Sequence, residues 1–212
     1  YATHLSLYNL TYEPQTPIGR KMKRGVLSMP SDEALEAYYS LACNTLDKEG
    51  YDHEEVSNWS KNGYSCRHNW LYWRNENFLG VGTGAHGYLP DSELGIRYSY
   101  SKYDRIFQKM GIVAGLSLEN INEHSELINV EPVRTTEDWL IEFVGTGLRT
   151  CEGLSVTKAE QVTGLNFTPT HILQEGLDRG LVSLVENRIV LKKEEWFREA
   201  SWAVEIINSI LD

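Results

Sequence analysis

Residues 65–87, SCRHNWLYWRNENFLGVGTGAHG, combine two histidines, a cluster of aromatic rings and a run of glycines. Gly82, Gly84 and Gly87 have the spacing Gly-x-Gly-x-x-Gly that is typical of dinucleotide-binding loops. Such a loop follows a strand and opens a helix whose N-terminus faces the pyrophosphate. Here the glycines are followed by YLPDSELG, which contains Pro90 and lacks a helical pattern. The spacing therefore does not predict a dinucleotide site.

The segment from Gly80 to Gly87 consists mainly of small residues, and two interpretations of it remain open. An extended segment without large side chains lets a flat ligand or another part of the backbone come close. Tight packing inside the protein, with no ligand, accounts for the same glycines. The residues alone do not separate these alternatives.

The histidines of this stretch are candidate ligands. His68 precedes Trp70, Tyr72 and Trp73, and an imidazole beside flat rings suits a metal, a haem iron or a large planar ring. The alternative is an aromatic core with a hydrogen-bonded structural histidine, which is the commoner case. His86 stands between Ala85 and Gly87, where few side-chain atoms shield it, so we expect it to line a pocket.

Upstream, the pattern predicts a βαβ unit. LSLYNL is apolar on both faces, as in a strand of a parallel sheet that is covered on both sides. Residues 30–51 predict a helix that is capped by Ser31 or Asp32 and ends at Gly50. EEVSNW is predicted to form the second strand. The buried stripe of the helix is predicted to consist of Leu35, Tyr38, Ala42 and Leu46.

Downstream, ELGIRYSY predicts a strand in which Ile96, Tyr98 and Tyr100 share a face. Residues 101–111 and 116–127 predict helices, and residues 128–138 predict a linker with a domain boundary between residues 134 and 135. Three further helices are predicted after it, with capping signals at Thr135, Thr157 and Thr168.

The chain then predicts a hairpin that turns at Glu186 and Asn187, followed by a last helix. The residues predicted to be buried by that helix are Trp196, Ala200, Ala203, Ile207 and Ile210. Helices, a hairpin and a helix form a winged-helix-like order. From Thr136 onward the chain has seven Lys and Arg against thirteen Asp and Glu, which disfavours binding to duplex DNA.

The composition excludes several classes of partner and site. The 212 residues carry a net charge of −10, which disfavours nucleic acid and anionic membranes as partners. No apolar run approaches the roughly 20 residues that span a bilayer, so we expect no membrane insertion. Cys43, Cys66 and Cys151 are widely spaced and form no CxxC pair, so they predict free thiols in a reducing cytosol rather than a metal site.

Four stretches in order, HLSLYNLTYEPQTP, GYDHEEVSNWS, SCRHNWLYWRN and FLGVGTGAHG, resemble the rear part of radical S-adenosylmethionine (SAM) proteins of the HemW/HemN group. This group includes the HemW haem chaperones and the oxygen-independent coproporphyrinogen III oxidases. TEDWLIEFVGTGLRTCEGL is similar to the small C-terminal domain of these proteins. The combination of HNxxYW with GxGxGAHG is the most specific part of the resemblance, which covers essentially the whole chain.

The resemblance implies an α/β (α+β) fold. Residues 1–134 would form the C-terminal part of an incomplete (β/α) barrel with added β-strands, and residues 135–212 a small winged-helix-like domain. The implied cofactors are SAM, haem and a [4Fe–4S] cluster held by a CxxxCxxC loop. That loop is absent from this sequence. We therefore expect the chain to be a C-terminal piece whose partner is the N-terminal remainder of the barrel, and which cannot cleave SAM by itself.

The resemblance also implies site residues. In relatives, the HNxxYW motif is linked to haem binding, and here it supplies His68, Asn69, Tyr72 and Trp73, with His68 as the iron ligand. Positions near SAM in relatives correspond here to Thr11, Gly82, Gly84 and His86.

The function implied by the resemblance is that of a cytoplasmic haem-binding protein that hands haem to acceptor proteins. One alternative is a true coproporphyrinogen III oxidase, which catalyses an oxidative decarboxylation in anaerobic porphyrin biosynthesis. Another alternative is an acidic interaction module that uses the winged-helix-like tail.

Overall fold

A computed structural model describes residues 2–10, 12–89, 94–102, 128–131 and 135–211. The chain divides into two compact units. Unit 1 comprises Tyr1–Cys66 and Lys193–Phe197, and unit 2 comprises Arg67–Lys192 and Arg198–Asp212. Helices and strands are mixed, as predicted. The strands described form three small three-stranded sheets, none of which closes into a barrel.

Unit 1 contains one sheet and two helices. Its strands are β1 (His4–Ser6), β2 (Asp52–Glu55) and β3 (Asn58–Ser60), in the order β1-β3-β2. Its helices are α1 (Pro17–Lys23) and α2 (Asp32–Lys48). The side chain of Ser31 caps α2, as predicted, by accepting a hydrogen bond from the Ala34 N–H at 3.3 Å.

The predicted single strand EEVSNW is wrong, because the chain reverses within it. The Glu55 carboxylate accepts hydrogen bonds from the Ser57 N–H, at 2.9 Å, and from the Asn58 side-chain amide. This compact turn separates β2 from β3, which pair antiparallel. β1 also pairs antiparallel with β3. The expected parallel pairing of β1 with EEVSNW is therefore also wrong, because β1 pairs antiparallel with the end of that segment, which lies in β3.

The inward face of α2, which is only partly buried, differs from the predicted stripe by one residue. Tyr38 is 63% exposed, whereas Tyr39 faces the sheet and contacts the rings of His53 and Trp59. Leu35, Tyr39, Ala42 and Leu46 follow the i, i+4, i+7, i+11 spacing of one helical face. Tyr38 lies about 100° away from Tyr39 around the helix and therefore points to solvent.

Unit 2 begins with α3 (Arg67–Trp73) and a sheet of β4 (His86–Leu89), β5 (Ile96–Tyr100) and β6 (Ile128–Val130), in the order β4-β5-β6. β5 is the predicted strand, and its Tyr98 is buried. β6 occupies part of the predicted linker, which is therefore wrong for residues 128–130. Thr11 and nearly all residues of the helices predicted at 101–111 and 116–127 lie outside the described residues.

The described residues in the rest of unit 2 form four α-helices and a third sheet. The helices are α4 (Thr136–Gly147), α5 (Val156–Thr163), α6 (His171–Asp178) and α7 (Glu199–Leu211). The sheet comprises β7 (Leu154–Ser155), β8 (Val182–Val185) and β9 (Arg188–Leu191), in the order β7-β9-β8. A short 3₁₀ helix, Lys193–Arg198, precedes α7 in the chain, and its residues Lys193–Phe197 belong to unit 1. No helix among the described residues combines the length and apolar character needed to cross a bilayer.

Two local predictions in this region are confirmed. Thr135 and Asp138 form a reciprocal capping box at the start of α4. The hairpin turns at Glu186 and Asn187, whose φ angles of 48° and 61° are those of a tight two-residue turn.

Three other predictions are corrected. Ser155, not Thr157, caps α5 by accepting from the Lys158 N–H at 3.2 Å. Thr170, not Thr168, caps α6, because the Thr170 side chain accepts from the Leu173 N–H at 3.2 Å. α7 buries Ile206, Ser209 and Ile210, whereas Ala200 is exposed and Ala203 and Ile207 are only partly buried. Trp196 is buried as part of the preceding 3₁₀ helix.

Candidate functional site

Helix α3 arranges the four HNxxYW residues as two pairs. His68 and Tyr72 are four residues apart, and so are Asn69 and Trp73, so each pair lies along one face of the helix. His68 is exposed, and the other three are half-buried. The helix therefore presents the imidazole to solvent and keeps Trp73 against the protein.

His68, Tyr72 and Phe78 form a ring cluster. The Tyr72 hydroxyl lies 2.5 Å from His68 Nε2, and the two rings meet edge to face at a centroid distance of 4.8 Å. The Phe78 ring packs edge to face against Tyr72, at 4.4 Å, and lies 6.5 Å from His68. The hydrogen bond from Tyr72 and the packing of the three rings together fix the orientation of the imidazole.

The opposite face of α3 is anchored within unit 2. The Arg149 guanidinium lies over the Trp73 ring, 5.3 Å from its centroid. The Arg74 guanidinium donates to the Glu152 carboxylate at 2.6 Å, and this hydrogen bond raises the pKa of Arg74. The Asn75 amide donates to Thr146 Oγ1 at 3.0 Å. These contacts hold α3 against α4 and the loop after it.

Arg149 also forms an ion pair with the carboxylate of Glu199, at 3.4 Å. Burial raises the pKa of Glu199, and the nearby Arg149 charge partly opposes that rise. Arg149 thus connects the Trp73 face of α3 to the start of α7 by polar contacts.

Tight internal packing explains two of the glycines. A Cβ on Gly80 would lie 2.0 Å from the His86 carbonyl oxygen, and one on Gly87 would lie 2.1 Å from Tyr98 Cζ. The Tyr98 hydroxyl accepts from the Gly80 N–H at 3.2 Å. At Gly80 and Gly87 the close approach is therefore made by the protein's own backbone and by the Tyr98 ring.

Gly82 and Gly84 have a different role, because they form the turn before β4. Their φ angles are 102° and 68°, which L-residues rarely adopt. Nothing lies within 4 Å of a Cβ built on Gly82, so its surroundings are open. His86 is exposed at the start of β4, where it pairs with Ser99 of β5.

The structure brings only some of the predicted site residues together. His68 and Tyr72 are in contact, and the Phe78 ring packs against both. The backbone of Phe78 also pairs with Tyr88 on β4, the strand that begins at His86. Within the described ranges, no hydrogen bond or ring contact joins His68 to Gly82, Gly84 or His86.

Phe78 was not predicted as a site residue. The only signal for it in the sequence is an aromatic residue in an extended segment shortly after the helix. Its partners lie on both sides of it in the chain, so no single periodic pattern includes it.

The residues present suit the two kinds of iron group differently. An exposed imidazole flanked by flat rings is a donor set that fits a haem iron at the protein surface. A [4Fe–4S] cluster does not fit the cysteines of this chain, because Cys43, Cys66 and Cys151 are widely spaced and form no CxxxCxxC loop. The described residues also contain no group of three or more His, Cys, Asp or Glu side chains suited to a metal ion.

Comparison with known proteins identifies relatives of this chain. No family model matches it. It is 41% identical over 95 residues to the haem chaperone HemW of Lactococcus lactis, covering 45% of this chain and 24% of that protein. It is 28% identical over 193 residues to HemW of Bacillus subtilis, covering 90% of this chain and 47% of that protein. The chain thus spans at most about half the length of these curated relatives.

One further relative and one solved structure extend the comparison. The chain is 40% identical over 95 residues to the mitochondrial radical S-adenosyl methionine domain-containing protein 1 of Danio rerio, covering 44% of this chain and 21% of that protein. Coproporphyrinogen III oxidase (HemN) from Escherichia coli, a radical SAM enzyme, matches 97% of this chain and 48% of its own with a TM-score of 0.62. At 16% identity this second likeness concerns the fold alone.

Proposed function

Because this chain belongs to the HemW/HemN group of radical SAM proteins, we propose that it is part of a haem chaperone which binds haem through His68. Three curated relatives carry the name haem chaperone HemW with 36–41% identity to this chain over part of its length. The single observation on which the proposal depends is the solvent-exposed imidazole of His68, held by Tyr72 on helix α3.

His68 has the environment of an oriented ligand. Metal-ligating histidines commonly use one ring nitrogen for the metal and fix the other through a hydrogen bond. Tyr72 Oη engages Nε2, and no hydrogen bond among the described residues engages Nδ1. Haem bound here would supply an iron with an open coordination position, and Tyr72 would fix the tautomer and direction of the imidazole that reaches it.

The other residues of the motif support this arrangement. The Phe78 ring limits the rotation of Tyr72 by edge-to-face packing. Trp73, covered by Arg149, keeps the opposite face of α3 attached to the protein, and Asn69 is half-buried on the same side. An exposed ligand on an anchored helix suits a protein that must both accept and release haem.

The remaining assignments are also proposals. Thr11, Gly82, Gly84 and His86 would lie near SAM by analogy with relatives, and the cluster would be held by the N-terminal remainder of the barrel. We place the division between the barrel part and a winged-helix-like domain between residues 134 and 135. The cytoplasm is the proposed compartment, and haem-acceptor proteins are the proposed partners.

A haem titration of the 212-residue chain tests the proposal. We expect the Soret band of haem to shift on adding the protein, and His68→Ala should weaken binding by about tenfold or more, since the proposed imidazole ligand is lost. His171→Ala is the matched control, because His171 is also exposed on a helix of unit 2. Equal affinities and spectra for the His68 variant and the unmodified chain would refute the assignment.

The alternative activity, oxidative decarboxylation of coproporphyrinogen III, requires a separate assay. The protein that includes the cluster-binding segment should be tested anaerobically with SAM and a reductant. Under the chaperone proposal no decarboxylated porphyrinogen is formed. Formation of that product at catalytic rates would favour the oxidase instead.

A further inference from the structure

Unit 1 contains a cavity that the haem proposal does not use. It has a volume of about 340 Å³ and lies between one face of α2 and the segment Lys193–Phe197, with His53 and Trp59 among its lining residues. This volume is at the lower end of the range for pockets that bind small organic molecules. Among the residues that the structure describes, none of those predicted to bind haem or SAM lines it.

Aromatic rings form the apolar part of the cavity. Tyr39 lies 6.4 Å from the Trp59 ring and 6.1 Å from the Phe197 ring, measured between centroids. Trp59, which is 1% exposed, stacks on His53 at 4.2 Å with an interplanar angle of 10°. These tilted and stacked faces suit a small flat ring better than an aliphatic chain.

The charged groups of the cavity are mostly acidic. Glu36, Asp47 and Glu194 line it together with one cation, Lys193. Glu36 and Asp47 are eleven residues apart and so lie on the same face of α2, three turns from each other. Within the part of the chain that the structure describes, none of these three carboxylates forms an ion pair.

The imidazole of the cavity adds no positive charge at neutral pH. Burial, together with the nearby charge of Lys193, lowers the pKa of His53 to about 4. The ionised lining groups are therefore three carboxylates and one ammonium group, an excess that attracts cations.

We propose that this cavity binds a small aromatic amine in its cationic form, with its ring against the partly exposed rings of Tyr39 and Phe197 and its ammonium group attracted by the net negative charge of the lining residues. Ring faces and carboxylates both attract a cation, the rings through their quadrupole. This inference concerns a different part of the chain from the haem site, so either can fail without the other.

Cys43 supplies a built-in reporter for occupancy. It lines the cavity, and its Sγ lies 3.9 Å from His53 Nδ1. Burial raises the pKa of the Cys43 thiol, so it reacts slowly with alkylating reagents. Cys66 and Cys151 do not line the cavity and act as internal controls in the same molecule.

The test is ligand protection of Cys43 from N-ethylmaleimide, measured at each cysteine by peptide mass spectrometry. The probes are tryptamine, neutral indole and the anion indole-3-acetate, which share one ring and differ in charge. We expect tryptamine to protect Cys43 at about tenfold lower concentration than indole, through ionic and cation–π attraction. Indole-3-acetate should protect least, and alkylation of Cys151 should not change.

A variant without the cavity carboxylates separates the contribution of the rings to ligand binding from the contribution of the charges. Tryptamine and indole should protect Cys43 at equal concentrations in the triple variant Glu36→Gln, Asp47→Asn, Glu194→Gln. The matched control Glu33→Gln, Glu49→Gln, Asp52→Asn removes three exposed charges of unit 1 outside the cavity and should keep the tryptamine preference.

Clear outcomes would overturn the proposal. They are an absence of protection by tryptamine, equal protection by tryptamine and indole-3-acetate, or an unchanged preference in the cavity triple variant. Because that variant could misfold, a second measurement uses the unmodified chain. Tryptamine should shift the NMR signals of the Trp59 indole and the His53 ring, and signals that stay fixed at saturating tryptamine would refute binding there.

Discussion

Lowering the pH from about 7.5 to about 5.5 should destabilise unit 1 through His53. This ring is 8% exposed, stacks on Trp59 and meets the edge of Trp196 at a centroid distance of 4.5 Å. Burial and the nearby Lys193 lower its pKa from 6.5 to about 4. Over this pH range the unfolded chain gains a proton at residue 53 while the folded chain does not, so acid favours unfolding.

The magnitude follows from the two pKa values. The free energy of unfolding should fall by about 1.3 kcal/mol between these pH values from His53 alone. The loss should continue to a limit of about 3 kcal/mol near pH 4, below which both states carry the proton. The stability that a neutral His53 provides is therefore complete above its ordinary pKa of 6.5 and is lost below it.

Urea unfolding at several pH values, followed by tryptophan fluorescence, measures this effect. His53→Gln removes the titrating group, so its stability should depend less steeply on pH even if the substitution weakens packing at every pH. His171→Gln removes an exposed imidazole instead and should keep the slope of the unmodified chain. Equal slopes for the unmodified chain and His53→Gln would refute the reasoning, as would an NMR titration of His53 with a midpoint near 6.5.

Three further changes test other parts of the structure. Gly87→Ala should lower the free energy of unfolding by about 2–4 kcal/mol, because a methyl group would overlap the Tyr98 ring and displace its hydroxyl from Gly80. Urea unfolding measures this loss, and Gly145→Ala, which meets no atom within 4 Å in helix α4, should be neutral or stabilising by up to about 1 kcal/mol; similar losses in both would contradict the packing argument. Thr135→Ala should lower stability by about 1 kcal/mol by removing the capping box, whereas Thr157→Ala, which removes no helix cap, should cost less than about 0.5 kcal/mol in the same assay. Tyr72→Phe should weaken haem binding by about tenfold in a Soret titration by removing the hydrogen bond to His68, and unchanged affinity would show that Tyr72 does not act through His68.

Features set by neighbouring residues could be predicted from the sequence. The capping box at Thr135 and Asp138 depends on residues three apart, and the turn at Glu186 and Asn187 depends on two consecutive residues. The pairing of His68 with Tyr72 follows in the same way from one helical turn. Each feature is decided within four residues, which is the range that a sequence pattern describes well.

Features set by distant partners could not be predicted. Tyr38 and Tyr39 are chemically identical neighbours, and the choice of Tyr39 as the buried one depends on His53 and Trp59, which lie more than ten residues away. EEVSNW contains no glycine that would mark a turn. The turn depends instead on the hydrogen bonds that the Glu55 carboxylate accepts from Ser57 and Asn58, which no sequence pattern indicates.

The glycine segment shows the same limit inside the candidate site. The sequence left a ligand and internal packing as equal alternatives, and the answer at Gly80 and Gly87 comes from Tyr98, on a different strand. The cavity of unit 1 has no signal in the sequence either, because its lining residues come from separate segments of the chain. Cys43 and Phe197, for example, come from elements far apart in the sequence.

The segment Lys193–Phe197 has a consequence for how the chain is made. Trp196 and Phe197 cover His53 and Tyr39 in a unit whose other residues are the first 66 of the chain. During synthesis on the ribosome, that early part emerges long before its last two rings exist. Its apolar surface stays uncovered while more than a hundred further residues are added. During that interval the exposed surface is a binding site for folding chaperones.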